Sequence, residues 1–206
     1  MNTSALVSPK NFAALILAGG KSRRMAYPKP WLWYNRHSTY LEHIIQIYLQ
    51  AGISEIVVVL NSRFCKNEWA EKLALVCTQA KVVENDQPDL GRLHSIRLGL
   101  SEIASDFTFI HNADSPYVGV ELIETLARNA GDTGVFIPVV EQKKGHPVLI
   151  SNEVKARIIN DYQSFESLRD VLGLFKHKLL NTQDKGILEN INTKKQFEEA
   201  ESGHFQ

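Results

Sequence analysis

Leu15-Ile16-Leu17-Ala18-Gly19-Gly20-Lys21-Ser22-Arg23-Arg24-Met25, with Lys29 four residues further on, is the stretch from which the rest of the chain is organised. The apolar segment 12–17 is short enough for a fully buried strand and ends in a Gly-Gly turn signal, so it predicts the first strand of a sheet. Gly19 and Gly20 carry no Cβ, which lets the backbone take positive φ and bring its N–H groups close to an anion. Lys21, Arg23, Arg24 and Lys29 supply the countercharge. A Gly-Gly pair after a strand is by itself an ordinary turn. Like charges crowded on one loop repel one another unless an anion joins them, and that crowding is what points to phosphate. The chain has neither G-x-x-x-x-G-K-[ST] nor G-x-G-x-x-G, which disfavours a kinase-type P-loop and a dinucleotide-binding turn.

The bulk properties narrow the class. A chain of 206 residues with 44% hydrophobic content can bury one substantial α/β core and is expected to form one domain, with its core at about 11–200. Its 23 basic and 23 acidic side chains cancel, so no global field draws nucleic acid or an anionic membrane. No run approaches the roughly 20 apolar residues of a membrane span. Cys65 and Cys77 have neither metal-ligand spacing nor a disulfide framework and are expected to be packing residues of a reduced, cytoplasmic protein.

Strand-like and helix-like segments alternate along the chain. A helix is expected at 40–51, stopped by Gly52, then a strand at 56–60, a helix at 68–75, a strand at 81–84, a helix at 93–104 and a strand at 107–111 opening onto Asp114. The last helix is expected at 194–200. This order predicts a Rossmann-like, three-layer α/β/α fold with a mostly parallel sheet. In such sheets ligands sit beyond the carboxyl ends of the strands, where Gly19-Gly20 and Asp114 would both emerge.

The string L-A-G-G-x-S-x-R-M, with Lys29 in Tyr27-Pro28-Lys29, resembles the signature loop of the MobA-like nucleotidyltransferases, the molybdenum cofactor guanylyltransferases and cytidylyltransferases. Ala26 stands where the family usually has glycine after the Met. Further stretches resemble the family in the same order: Gly91-Arg92-Leu93-His94-Ser95-Ile96-Arg97-Leu98-Gly99-Leu100, the Asp-x-Pro of Asp114-Ser115-Pro116, Gly145-His146-Pro147-Val148, and a closing motif from Asp184 to Thr193. Together they span about 13–200. After Thr193 the family's Pro-Glu is replaced by Lys194-Lys195-Gln196, and Asn192 is neutral.

The resemblance implies attack of an acceptor phosphate oxygen on the α-phosphorus of an NTP, with Mg²⁺ as cofactor and pyrophosphate as leaving group. It implies nucleotide contacts from Leu17, Ala18, Gly19, Gly20, Lys21, Ser22, Arg23, Lys29, Gly91, Ser95 and Asp114. Arg24, Lys29 and Asp114 would be catalytic, Asp114 and Asn192 the metal ligands, and Gly145 and His146 the edge of the acceptor pocket. Mg²⁺ favours a hard carboxylate oxygen and keeps waters and phosphate oxygens as its other ligands, which suits Asp114. Taken locally, Asp114 in Asp-x-Pro is equally a turn residue, and Thr193 an N-cap.

The base is split: Leu-Ala-Gly-Gly leans to GTP, while Tyr27-Pro28-Lys29 and Gly145-His146-Pro147-Val148 lean to CTP. Molybdopterin is the expected acceptor, with sugar-1-phosphates or polyol phosphates as the alternative. An accessory protein that binds nucleotide without turnover is the reading from another class. Trp31, Trp33 and Tyr34 either line a pterin site or pack in the core. Asp86 and Asp89 fall in a loop beside Gly91. A monomer or homodimer is expected.

Overall fold

The structure, a computed structural model, describes residues 10–21, 25, 27–131 and 134–204. In chain order its elements begin β1 (Phe12–Ala18), α1 (Tyr40–Gln50), β2 (Glu55–Asn61), α2 (Ala70–Cys77), β3 (Lys81–Asn85), α3 (Gly91–Leu100) and β4 (Phe107–Asn112). They continue with α4 (Val120–Arg128), β5 (Val135–Val140), β6 (Lys143–Lys144), β7 (Val148–Ser151), α5 (Asn152–Asp161), α6 (Leu168–Leu172), β8 (His177–Asn181) and α7 (Lys194–His204). The eight strands of the described residues form one sheet in the order β3-β2-β1-β4-β7-β5-β6, with β8 paired to β5.

β1 is the inner strand around which the layers are built. Residues Ala13 to Ile16 have no exposure, and a strand covered on both faces needs apolar side chains at every position. Ala14, Ile16 and Ala18 enter one apolar layer with Leu41, Ile44 and Tyr48 of α1 and Leu122, Ile123 and Leu126 of α4. Ala13 and Leu15 enter the other with Leu93, Ile96 and Leu100 of α3, Val154 and Ile158 of α5, and Val171 of α6. The result is the three-layer α/β/α arrangement expected from the sequence.

The parallel part of the sheet is β3-β2-β1-β4. β7 then runs antiparallel between β4 and β5, and β6 antiparallel to β5, while β8 returns parallel to β5. The reading from sequence assigned no strand after 111. The second half of the sheet comes from short segments whose pairing is set by tertiary contact, not by a βαβ rhythm.

Boundaries differ from expectation where local chemistry decides them. α1 starts in a capping box, in which Thr39 Oγ1 accepts from the Glu42 N–H and Glu42 Oε2 from the Thr39 N–H. It stops before Gly52, whose φ of 77° is the left-handed conformation of a helix end. The helix expected at 93–104 begins at Gly91 and ends at Leu100. Gly91 takes φ 88°, which a side chain would oppose, so the chain turns there directly into the helix. The helix expected at 68–75 is a 3-10 turn at Asn67–Trp69 followed by α2.

α3 lies close to the sheet because Gly99 has no side chain. A Cβ there would stand 2.2 Å from Leu15 Cδ1 and 2.7 Å from Val59 Cγ2. Overpacking of this kind costs about 1–3 kcal/mol. Gly99→Ala is therefore expected to lower the denaturation midpoint measured in urea, without a change in slope; an unaltered midpoint would contradict the close approach of α3.

Candidate active site

The carboxyl ends of β1 and β4 and the start of α3 enclose a cavity of about 460 Å³. Its walls include Leu17, Ala18, Gly19, Gly20 and Lys21 after β1, Lys29 and Pro30, Pro88, Gly91, Arg92 and Ser95 around α3, Asn112 to Asp114 after β4, and Asn192 before α7. The structure thus brings together four of the five segments that the motifs singled out from distant parts of the chain. Ser22, Arg23, Arg24 and Ala26 lie outside the described residues.

Two buried asparagines hold the glycine loop and its neighbour Ser95. Asn61 Nδ2, at the end of β2, donates to Gly19 O at 3.3 Å, and Asn85 Nδ2, at the end of β3, donates to Ser95 Oγ at 2.9 Å. A Cβ on Gly19 would come within 3.1 Å of that Ser95 oxygen. The missing side chain of Gly19 and the small one of Ser95 are therefore one packing decision. Lys21 pairs with Asp89.

Across the cavity, the Lys29 ammonium donates to Asp114 Oδ2 at 3.0 Å and to Asn192 Oδ1 at 2.8 Å. Two hard oxygens, supplied by residues 78 positions apart in the chain, thus converge on one positively charged atom. Among the described residues no group of three His, Cys, Asp or Glu side chains is placed to hold a metal. A single carboxylate with an amide oxygen fits a hard cation that takes its remaining ligands from phosphate and water.

The convergence is built by a hydrogen-bonded seam between the loop after β4 and the segment before α7. The Ile191 N–H donates to Asp114 O at 2.8 Å, and Ser115 Oγ donates to Asn190 Oδ1 at 2.6 Å. Beneath it, fully buried His111 donates from Nε2 to Ser115 O at 2.8 Å and accepts at Nδ1 from the Tyr48 hydroxyl at 2.9 Å. The carbonyl only accepts, so Nε2 carries a proton, and burial keeps the ring neutral, which leaves Nδ1 as the acceptor. The Lys194-Lys195-Gln196 departure also has a local function. Gln196 Oε1 accepts from the Asn192 and Thr193 N–H groups while Gln196 N–H donates to Thr193 Oγ1, a reciprocal cap that starts α7.

Arg92 and Asn112 were not among the expected site residues. Arg92 Nη2 donates to Asn112 Oδ1 at 2.9 Å, and the guanidinium lies in the field of Asp114. An arginine one position after the motif glycine is the signal the sequence offers for it.

Gly145 and His146 do not line the cavity. Gly145 is there because a Cβ would stand 2.5 Å from Ile187, and the His146 N–H donates to Ile187 O at 3.1 Å. The His146 ring is within the field of Arg92 and Asp114, and its buried Nδ1 has no hydrogen-bond partner among the described residues. Trp31 is a core residue with no exposure whose indole N–H donates to Phe64 O at 3.3 Å, while Trp33 is exposed and Tyr34 stacks on His43. Cys65 is buried, and burial raises its thiol to about 11, whereas Cys77 is exposed. Among the described residues no helix is long and apolar enough to cross a membrane.

The model of the MobA-like NTP transferase domain matches residues 14–180. A probable molybdenum cofactor guanylyltransferase of Bacillus mycoides is 28% identical over 199 residues, covering 92% of this chain and 95% of that protein. A 4-diphosphocytidyl-2C-methyl-D-erythritol synthase of Anaerococcus prevotii superposes with a TM-score of 0.73 at 14% identity, covering 94% of this chain and 98% of its own. A Mycobacterium tuberculosis protein solved in complex with manganese superposes with a TM-score of 0.70 at 17% identity, covering 93% and 98%.

Buried His111 and half-buried His43 and His146 make stability depend on pH. Burial lowers His43, His111 and His146 to about 4, from an ordinary value near 6.5. The unfolded chain therefore takes up protons first, and stability falls as pH drops from about 6.5 towards 4. For His111 the difference amounts to roughly 3 kcal/mol by pH 4. Urea denaturation across this range is expected to show the decline, and His111→Gln a shallower one; identical slopes would place the titration elsewhere.

Proposed function

Because the chain belongs to the MobA-like NTP transferase family, we propose that it transfers a nucleotidyl group from GTP to the phosphate of molybdopterin and releases pyrophosphate. The observation that carries this reading is the convergence of Lys29, Asp114 and Asn192 opposite the Gly19-Gly20 backbone in one cavity. The name of the Bacillus mycoides relative favours guanine over cytosine and molybdopterin over a sugar phosphate. The cytoplasm is the compartment proposed.

In this reading an acceptor phosphate oxygen bonds to the α-phosphorus while the bond from that phosphorus to the bridging oxygen breaks. The electron pair leaves with pyrophosphate. No general base is required, because a phosphate acceptor is already ionised near neutral pH. The protein's contribution is alignment and charge neutralisation. Backbone N–H groups at Gly19 and Gly20 face the polyphosphate, and Lys21 and Lys29 neutralise it. Asp114 and Asn192 would hold a divalent cation, Mg²⁺ by the donor set, which supplies countercharge to the phosphates. Arg92 lies on the wall shared with Asn112 and offers its guanidinium to the reacting phosphates.

Pyrophosphate release is the direct test, with Mg²⁺ and each of GTP, CTP, ATP and UTP, in the presence of molybdopterin or of sugar-1-phosphates. Release is expected with GTP and molybdopterin, and Asp114→Ala is expected to abolish it. Lys29→Met is expected to lower kcat about a hundredfold, the loss typical of one preorganised donor to developing charge. Arg92→Gln is expected to lower it about tenfold. Binding of an NTP without release for any pair would replace this reading with a nucleotide-binding accessory protein.

A further inference from the structure

Lys29 is carried by a 3-10 turn, Lys29–Trp31, and not by a helix or strand of the frame. Something must fix that turn if its ammonium is to stay within hydrogen-bond reach of Asp114 and Asn192. Part of the hold is buried Trp31, with its indole bond to Phe64 O, and the bond from Tyr40 N–H to Leu32 O. A further part is Lys72, on α2 and outside every motif of the sequence.

The Lys72 ammonium donates to the Tyr27 hydroxyl at 3.2 Å and to the Trp31 carbonyl at 3.3 Å. These acceptors lie two residues before and two residues after Lys29, so one cation straddles the segment that carries the other. The same ammonium stands 4.4 Å from the centre of the Trp33 ring, and 5.6 and 5.8 Å from those of Tyr27 and Trp69. Tyr27 meets Trp69 edge-on with ring centres 4.9 Å apart. An ammonium among aromatic faces is attracted to them while remaining charged, and its hydrogen bonds set its direction. A flexible lysine is thereby converted into a fixed strut between α2 and the loop.

We propose that Lys72 is a positioning residue for Lys29: it clamps the Tyr27 and Trp31 flanks so that the Lys29 ammonium is presented to polyphosphate. The proposal rests on the reading of Lys29 as a polyphosphate-binding cation. A misplacement of about 1 Å at a catalytic group costs up to a hundredfold, and loss of a supporting partner typically costs ten- to a hundredfold.

The test is a double-mutant cycle of Lys29→Met and Lys72→Met, measured as kcat and KM for the NTP and as affinity for inorganic tripolyphosphate by calorimetry. Lys72→Met is expected to lower kcat/KM and tripolyphosphate affinity about tenfold, and to add no further loss on the Lys29→Met background. Lys72→Arg, which keeps both donors and aromatic stacking, is expected to recover most of the loss. Should Lys72→Met not fold, Tyr27→Phe removes only the hydroxyl acceptor and is expected to show part of the same loss with the same dependence on Lys29. Wild-type behaviour in Lys72→Met, or losses that multiply in the double variant, would overturn the proposal, because a merely stabilising lysine acts independently of Lys29. Absence of tripolyphosphate binding by the wild type would overturn it as well. Binding of tripolyphosphate without turnover of any NTP and acceptor pair would sink only the transferase reading, and the cycle in tripolyphosphate affinity would still decide the role of Lys72.

Discussion

Burial of β1 on both faces is the constraint on which the other parts depend. Ala13, Ala14, Leu15 and Ile16 have no exposure, so helices must cover the sheet above and below, and parallel neighbours must satisfy the strand on both edges. A strand held this way delivers its carboxyl end at a fixed place. Gly19 and Gly20 leave the sheet there, beside the ends of β2 and β3, where Asn61 and Asn85 tie down the loop and its neighbour Ser95. The cavity is thus a consequence of where an apolar strand ends and polar chain begins.

The second requirement is that the chain returns. Asp114 follows β4, but Asn192 arrives after β5 to β8 have been laid against the other half of the sheet. The seam of Ile191 with Asp114 and Asn190 with Ser115 sets their register, and the buried Tyr48–His111–Ser115 relay holds it from within the core. Each polar atom in that relay has a partner, which is the condition under which buried polarity specifies one arrangement.

Much of this was legible in residue order. The glycine loop, the strand leading to Asp114, the helix start at Gly91 and the closing segment each carry a local signature, and they line one cavity. Arg92 and Asn112 were not legible, because an arginine at a helix start and an asparagine at a strand end are ordinary surface residues until a cavity forms between them. Trp31 shows the reverse case: an aromatic near a cationic loop is equally suited to a ligand or to the core, and only its complete burial assigns it to the core. Gly145 is explained by the close passage of Ile187, a contact between segments with no shared pattern.

The sequence by itself determined the α/β class, the central strand and the glycine-rich, cationic character of the loop after it, because hydrophobic runs, glycine freedom and clustered charge act over a few neighbouring residues. Tertiary structure alone decided the antiparallel placement of β7, the meeting of Lys29 with Asp114 and Asn192, and the clamp of Lys72 across the loop. These depend on which distant segments share a boundary in three dimensions. Such pairings are fixed by packing and by hydrogen bonds formed only once the core has closed, and no local spacing encodes them.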